Sequence, residues 1–463
     1  MSEEVYKALA AASTGFVEAP AGCGKTEAIV RAVGTYCTEP QLILTHTHAG
    51  VDALRRRFRE YKVPPDRYHV DTIAGWAWSW VRRYPVNSRY SGSTEIPAWN
   101  DVYKAMETLL KKGFVRKGIW NSYAGIIIDE YQDCTLAMHR LVIALKELLP
   151  CRVLGDDLQG IFGFKGDPLV PWPDVKRSFV NNLGTLKTPF RWLKTGSEQL
   201  GDWLLRERPT FRSEREPRYD QSPIERYKLP YGKVGSKLIR LTSEKEGRIC
   251  VIGPKARPLP GGLETTLIKR GYCLLEPNEL TALRDLIAAL TDGKPSDKAK
   301  RVSEFFRRAY AGLGDDAGFI TKIARGRPQK PRKAARRMLC QKHSAGATPQ
   351  LIVDLLDYLQ GAAGISCKRR ESVSALKCIL ERHLQIGTDI KKLYAEEIAK
   401  RKYHNRSNIR RSIGSTLLVK GLEFEHAIIV RPVDWQSSWG GYKDLYVALT
   451  RGAKTVTLME YGS

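Results

Sequence analysis

Eight consecutive residues, Ala19-Pro20-Ala21-Gly22-Cys23-Gly24-Lys25-Thr26, have the types and spacing to hold a nucleoside triphosphate. Glycines let the chain turn tightly, so backbone N–H groups can face phosphate oxygens. Lys25 can reach the terminal phosphates, and the Thr26 hydroxyl is placed to ligate Mg²⁺. Ala19 stands where the usual pattern has its first glycine, so the stretch alone also fits a glycine turn opening a structural helix. A second candidate is the apolar run 124–128, which ends in Asp129-Glu130-Tyr131-Gln132-Asp133. Beside a bound triphosphate, the first acid would order Mg²⁺, and the second would position or deprotonate the attacking water. A third is Gly155-Asp156-Asp157-Leu158-Gln159-Gly160-Ile161-Phe162-Gly163-Phe164. It offers a polar group to a phosphate and two stacking faces to a base. It reads equally as a solvated acidic turn over core phenylalanines.

These groups need strands to present them. Residues 15–17 read as a strand, the phosphate-type loop follows, and residues 27–33 read as a helix. Residues 41–45 form a second strand, ending in Thr45-His46-Thr47-His48 before a helix through Phe58; Thr47 alone would serve as its cap. Residues 69–73 are strand-like and lead into a helix bearing Trp76, Trp78 and Trp80, whose spacing cannot share one face, so some should be core and one exposed. Residues 85–122 are polar, with an amphipathic helix at 102–110, and read as a small excursion. From 237 a second alternation begins: strands at 237–241, 249–253 and 272–275, helices at 262–270 and 281–290. It resumes with strands at 415–419, 427–431 and 455–458 and a helix at 444–450. The expected fold class is α/β with two parallel-sheet domains.

The chain has 463 residues and a formal net charge of +26, which points to a polyanionic partner. Residues 295–411 hold 27 Lys/Arg and 11 Asp/Glu, so +16 of that charge falls in about a quarter of the chain. The densest run includes Arg325, Arg327 and Lys330 and is expected to meet nucleic-acid phosphate, the alternative being a solvated loop. No apolar run is long enough to span a bilayer, and the N-terminus lacks a secretion-signal pattern, so a membrane partner is not expected. The nine cysteines form no C-x-x-C pair and fit reduced thiols in a cytoplasmic protein.

Taken together, APAGCGKT, THTHAG, DTIAG, IIIDEYQD, GDDLQGIFGF, TPFRW, LLVKGLEFEHAIIV and YVALTRGA resemble, in order and spacing, the superfamily 1A helicases of the UvrD/Rep/PcrA group. The resemblance covers residues 1–290 and 412–463. It implies two RecA-like P-loop motor domains: residues 1–184, with the small insertion at about 85–122, and residues 185–294 completed by 412–463. The basic helical segment 295–411 becomes an accessory insertion in the second. The resemblance further implies ATP and Mg²⁺ as cofactors, with residues 19–26 around the phosphates, Asp129 and Thr26 on the metal, and Glu130 as general base. Gln159 would sense the γ-phosphate. Arg191 and Arg451 would be arginine fingers carried by the second domain, reaching the phosphates on closure. Phe190 would stack on adenine, Glu423 would meet the ribose, and Gly421 would belong to the same nucleotide-binding segment. Thr45, His46, Thr72, Phe162 and Phe164 would contact the DNA strand.

The chain departs from the group in several places. Residues 1–24 contain no Gln to read adenine, and Glu27 stands where Arg is common. His46 replaces a base-contacting Phe, Ile73-Ala74 replace Phe-His, Ser415 replaces Thr and Leu417 replaces His. The compact plan resembles the small UvrD-like helicases of bacteria and phages, including the helicase subunit of the Gabija anti-phage system; repair and antiviral defence are among the settings such engines serve. The implied activity is a DNA-dependent ATPase moving 3′ to 5′ on single-stranded or tailed DNA. The competing expectation is a nucleotide-switched DNA sensor that licenses a partner nuclease and unwinds little by itself.

Overall fold

The computed structural model describes all residues except 1, 93, 95–96, 162–166, 254–258, 276–279, 328–332, 344, 404–408, 437–440 and 463. The candidates Phe162, Phe164 and Lys330 therefore lie outside the described residues. The chain divides into two compact units: Met1–Glu225 with Trp439–Val456, and Arg226–Ser438 with Thr457–Ser463. Each is built on a six-stranded sheet with helices, an α/β arrangement consistent with two RecA-like domains.

In the first unit the strands are β1 (Thr14–Glu18), β2 (Gln41–Thr45), β3 (Tyr68–Thr72), β4 (Gly125–Ile128), β5 (Cys151–Gly155) and β6 (Asn182–Thr185). Their order is β3-β2-β4-β5-β1-β6, and every neighbouring pair is parallel. Parallel sheets are covered on both faces, and strand side chains alternate between them. Phe16, Leu42, Leu44, Ile126, Ile128 and Val153 enter one core. Val17, Ile43, Val70, Ile127 and Leu154 enter the other. With both faces buried, the functional groups are left to the strand ends.

The insertion is helical, Pro85–Ser88, Trp99–Leu110 and Gly113–Ser122, and packs on the first of those cores. Trp76 is buried, while Trp78 and Trp80 are half-buried against the same core. No member of the trio is exposed, because the insertion covers a helix face that would otherwise meet water.

The second sheet has β7 (Glu225–Pro230), β8 (Ile249–Gly253), β9 (Cys273–Leu274), β12 (Arg411–Ser415), β13 (Phe424–Pro432) and β14 (Gly452–Gly462) in the order β7-β14-β13-β8-β12-β9; the first residues of β14, through Val456, and Glu225 fall in the first unit. The pairs β13–β8, β8–β12 and β12–β9 are parallel. Among the described residues, six helices between Pro295 and Tyr403, with the antiparallel pair β10 (Tyr310–Ala311) and β11 (Ser366–Cys367), form the basic segment. It shares a core with the helix Thr281–Asp292. At the end of β14, Glu460 pairs with Arg431 at 2.7 Å and Arg226 at 2.5 Å.

Two expected strands are helical. Residues 237–241 lie inside the helix Val234–Glu244, where Val234, Leu238, Leu241 and Thr242 are buried at helical spacing. Residues 416–419 form the helical turn Thr416–Val419, the strand having ended at Ser415.

Candidate active site

The chemistry-bearing residues of the first unit collect at the C-terminal ends of its strands, where open α/β sheets place ligands. The phosphate-type loop follows β1, Asp129-Glu130 follow β4, and Asp156 to Gln159 follow β5. Because β4, β5 and β1 are adjacent, the three segments meet: Ala19 N–H donates to Gly155 O at 2.8 Å and Ala21 N–H to Asp156 Oδ2 at 3.0 Å.

The loop turns through Gly22 at φ 71° and Gly24 at φ 81°, left-handed conformations that favour glycine. Both glycines are also closely covered. A Cβ on Gly22 would stand 2.6 Å from Trp192, and one on Gly24 would stand 2.9 Å from Phe190. The helix Lys25–Arg31 starts at Gly24, so Lys25 sits in its first turn.

Lys25 Nζ lies 2.6 Å from Glu130 Oε2 and 4.0 Å from Asp129 Oδ1. Burial disfavours charge on Lys25, but Glu130 and then Asp129 more than offset it, and its pKa is raised. Burial, then the neighbouring Glu130, pushes the Asp129 carboxyl up to about 7, with Lys25 opposing. Glu130 occupies φ 56° without being glycine, which costs about 1–2 kcal/mol. Its side chain is held by Lys25 and by Gln132 Nε2 at 2.5 Å, and its N–H donates to Asp129 Oδ1 at 2.8 Å. Asp129 and Thr26 present hard oxygen donors. Among the described residues no cluster of three His, Cys, Asp or Glu could hold a metal. That donor set fits Mg²⁺, which takes one or two protein oxygens and fills its remaining positions with phosphates and water.

Asp156 is the hub beneath the loop. It is buried and accepts from Ala21 N–H, Leu158 N–H, Gln159 Nε2 at 2.9 Å and the Tyr446 hydroxyl at 3.2 Å. Arg208 Nη1 pairs with it at 2.8 Å and also donates to Tyr446 at 2.6 Å. Burial works against the Arg208 charge, but Asp156 leads the groups that raise its pKa. The Cys23 thiol in the loop is pushed up to about 12 by burial, then by Asp156, and so remains a protonated, inert packing group. Gln159 Oε1 receives Arg451 Nη2 at 3.3 Å, and Arg451 also donates to Val447 O at 2.9 Å and Thr450 Oγ1 at 2.8 Å. Arg191 N–H donates to Gly22 O at 3.1 Å, and its Nη1 donates to Thr450 O at 2.5 Å.

Both arginines therefore pack with the phosphate-type loop, in the same compact unit, although the sequence boundaries at 184 and 412 assign them to the second domain. Direct bonds explain the grouping: Trp192 Nε1 to Gly452 O at 2.9 Å, Thr195 Oγ1 to Ala453 O at 2.7 Å, and the Asp156–Arg208–Tyr446 triad. Arg208 and Tyr446 are functional candidates that sequence reasoning missed, and Asp156 lay in a candidate stretch without a role of its own. Asp156→Ala would strand a buried guanidinium whose remaining carboxylate partner, Asp157, stands at 3.3 Å. The expected result is a destabilisation of about 3–5 kcal/mol, read as a lowered urea midpoint for the first unit.

Thr45 and Thr72 are register partners at the ends of β2, which neighbours β4, and of the edge strand β3. Thr72 Oγ1 caps the following helix by accepting from Gly75 N–H at 2.9 Å. His46 Nε2 faces Cys134 Sγ at 3.5 Å, and Thr47 caps its helix through Gly50 N–H, as its alternative reading has it. Glu27 turns to Arg31 at 2.7 Å and Arg57 at 3.7 Å. Gly421 and Glu423 belong to the second unit, in the turn before β13. Arg325 and Arg327 are exposed in that unit, after the helix Asp315–Ala324.

No protein-family model matches the chain, and neither does any curated protein. Among solved structures, it is similar to the crystal structure of arterivirus nonstructural protein 10, a helicase, with a TM-score of 0.37 and 11% identity over 99% of this chain and 62% of that one. It is also similar to a complex of the arterivirus helicase with DNA, with a TM-score of 0.29 and 15% identity over 56% of this chain and 51% of that one. The chain thus spans less than two thirds of either relative. Among the described residues, no helix is long and apolar enough to cross a membrane.

Proposed function

We propose that the chain is an ATP-driven translocase or helicase acting on single-stranded DNA, moving 3′ to 5′ as its motif set implies. The observation that carries this reading is the convergence of Lys25, Asp129, Glu130, Gln159 and Arg451 on one end of a parallel sheet. Lys25 is paired with Glu130, so an arriving triphosphate competes for its ammonium. When Lys25 shifts to the phosphates, the Glu130 carboxylate can accept a proton from water. Mg²⁺ held by Asp129 and Thr26 would neutralise phosphate charge when bound. Gln159 ties Arg451 to Asp156, and Asp156 holds the loop backbone at Ala21, so a change at the phosphates is mechanically linked to the arginine. Thr45 ends the strand beside β4 and Thr72 the strand after that, close enough for strand contact to follow the nucleotide state.

An ATP hydrolysis assay with single-stranded DNA, duplex, 3′-tailed and 5′-tailed duplex, and RNA tests the reading. Stimulation by single strands and unwinding of the 3′-tailed duplex are expected; hydrolysis indifferent to every nucleic acid would refute it. The second reading is a nucleotide-switched DNA sensor that licenses a nuclease partner. It is favoured by Thr72 and His46, whose side chains are engaged within the unit. It would be selected by single-strand stimulation without unwinding, together with recovery of a stable nuclease partner.

The basic segment supplies a separate expectation. Deleting residues 325–333 should lower single-strand affinity and flatten its dependence on salt, by about 0.7 in log–log slope for each phosphate no longer neutralised. An unchanged slope would assign that run another role.

A further inference from the structure

An aromatic ladder climbs from the core of the first unit to its surface. Trp76 is buried; its ring is 6.3 Å from Trp80, which stacks at 6.0 Å on Tyr84, which meets Phe114 edge-on at 5.1 Å. The ladder ends in water, with Phe114 48% exposed and Trp120, on the same helix, 63% exposed. Gly118 between them leaves room for Trp80, since a Cβ there would stand 3.3 Å from Cη2. Two large aromatics this exposed on one short helix are unusual for a surface without a partner.

The charge along the chain segments that carry them is of one sign. Residues 72–94 and 108–128 contain seven Lys/Arg and no Asp or Glu. Arg82, Arg83, Arg116 and Lys117 are exposed there, the first pair ending the helix that carries the ladder. Of the insertion's acids, Asp101 and Glu107 are on the neighbouring helix Trp99–Leu110, and Glu95 lies outside the described residues. The ladder's own helix, Ile73–Arg83, starts at Thr72 on the sheet edge and is about 16 Å long.

We infer that Phe114 and Trp120, flanked by Arg116 and Lys117, form a second single-strand docking surface, on which unpaired bases stack while the backbone runs along the basic residues. Exposed rings accept any base, and surrounding cations pair with phosphate; an uncharged or basic protein partner would gain nothing from the latter. The surface extends the strand path from the sheet end at Thr45 and Thr72 onto the insertion, and so rests on the nucleic-acid reading proposed above.

The test uses the full chain and a fluorescein-labelled dT20 strand, with binding followed by anisotropy across a salt series. Phe114→Ala/Trp120→Ala should weaken binding roughly 10- to 100-fold, with the salt slope unchanged. Arg116→Ala/Lys117→Ala should reduce the log–log slope by about 1.4. DNA-free ATP hydrolysis should match wild type in both, since all four side chains are exposed away from the phosphate-type loop, and the aromatic pair should lower the melting temperature only slightly, through the lost edge contact of Phe114 with Tyr84. Unchanged dT20 affinity in the aromatic pair overturns the proposal. So does a change in sedimentation confined to that pair without loss of dT20 binding, which would assign the surface to a protein partner. A wild-type chain that neither binds dT20 nor is stimulated by it fails at the earlier step and removes the nucleic-acid reading itself.

Discussion

Glu130→Gln is expected to lower ATP turnover by about 10²–10⁴-fold while nucleotide affinity stays equal or improves. The two halves of this expectation have one cause. In the structure the Glu130 carboxylate holds Lys25 at 2.6 Å. An amide keeps the shape but loses the charge, so it can neither take a proton from water nor compete with phosphate for the ammonium. Ground-state binding therefore loses a competitor as the chemical step loses its base. Lys25→Ala should differ, losing both binding and turnover, because it removes the phosphate partner and leaves Asp129 and Glu130 facing each other without that cation. Fluorescent-nucleotide binding measured beside steady-state hydrolysis separates the two. Hydrolysis within about tenfold of wild type in Glu130→Gln, short of the range general-base removal gives, would show that another group activates the water.

What the sequence made legible follows from where the information lies. The loop, the acid pair and the strands beneath them are local patterns, and β2 spans Gln41–Thr45, as its apolar run dictates. The strand order that sets β4, β5 and β1 side by side is long-range pairing that no local pattern carries. Asp156 and Asp157 could not be told apart by type. Only the structure shows Asp156 buried beneath the loop and Asp157 clamped by Arg212 at 2.7 Å. Arg208 was hidden among Arg206, Arg212, Arg215 and Arg218, since nothing local marks which arginine turns inward. The helix Val234–Glu244 was misread because Lys237-Leu238-Ile239-Arg240-Leu241 is short enough to fit either period. The burial of Val234 and Thr242, on either side of that window, decides for the helix. The aromatic ladder escaped for a related reason: the exposure of Phe114 and Trp120 depends on which face of Gly113–Ser122 the neighbouring helices leave open.

Arg451→Ala is the second large expected effect: a loss of about 10³–10⁵ in turnover, with nucleotide binding retained. Only 2% of Arg451 is exposed, and it is aimed by hydrogen bonds to Val447 O, Thr450 Oγ1 and Gln159 Oε1. The first two fix the side chain within its own turn, while the bond to Gln159 ties it to the segment after β5. Arg451→Lys should not restore activity, because a single ammonium cannot make the forked set of bonds that holds the guanidinium in place. Gln159→Ala should cost less than Arg451→Ala. If the two act as a unit, the double variant should fall little below Arg451→Ala alone, whereas independent roles would multiply. Arg191 approaches from the other side of the loop, bonded to Gly22 O and to Thr450 O, and Thr450 Oγ1 in turn accepts from Arg451. Arg191→Ala combined with Gln159→Ala should therefore fall short of multiplicative losses, the two being joined through Thr450 and Arg451. Wild-type hydrolysis in Arg451→Ala, in a protein that still binds nucleotide, would remove the arginine from the chemistry and leave it as a packing residue of its turn.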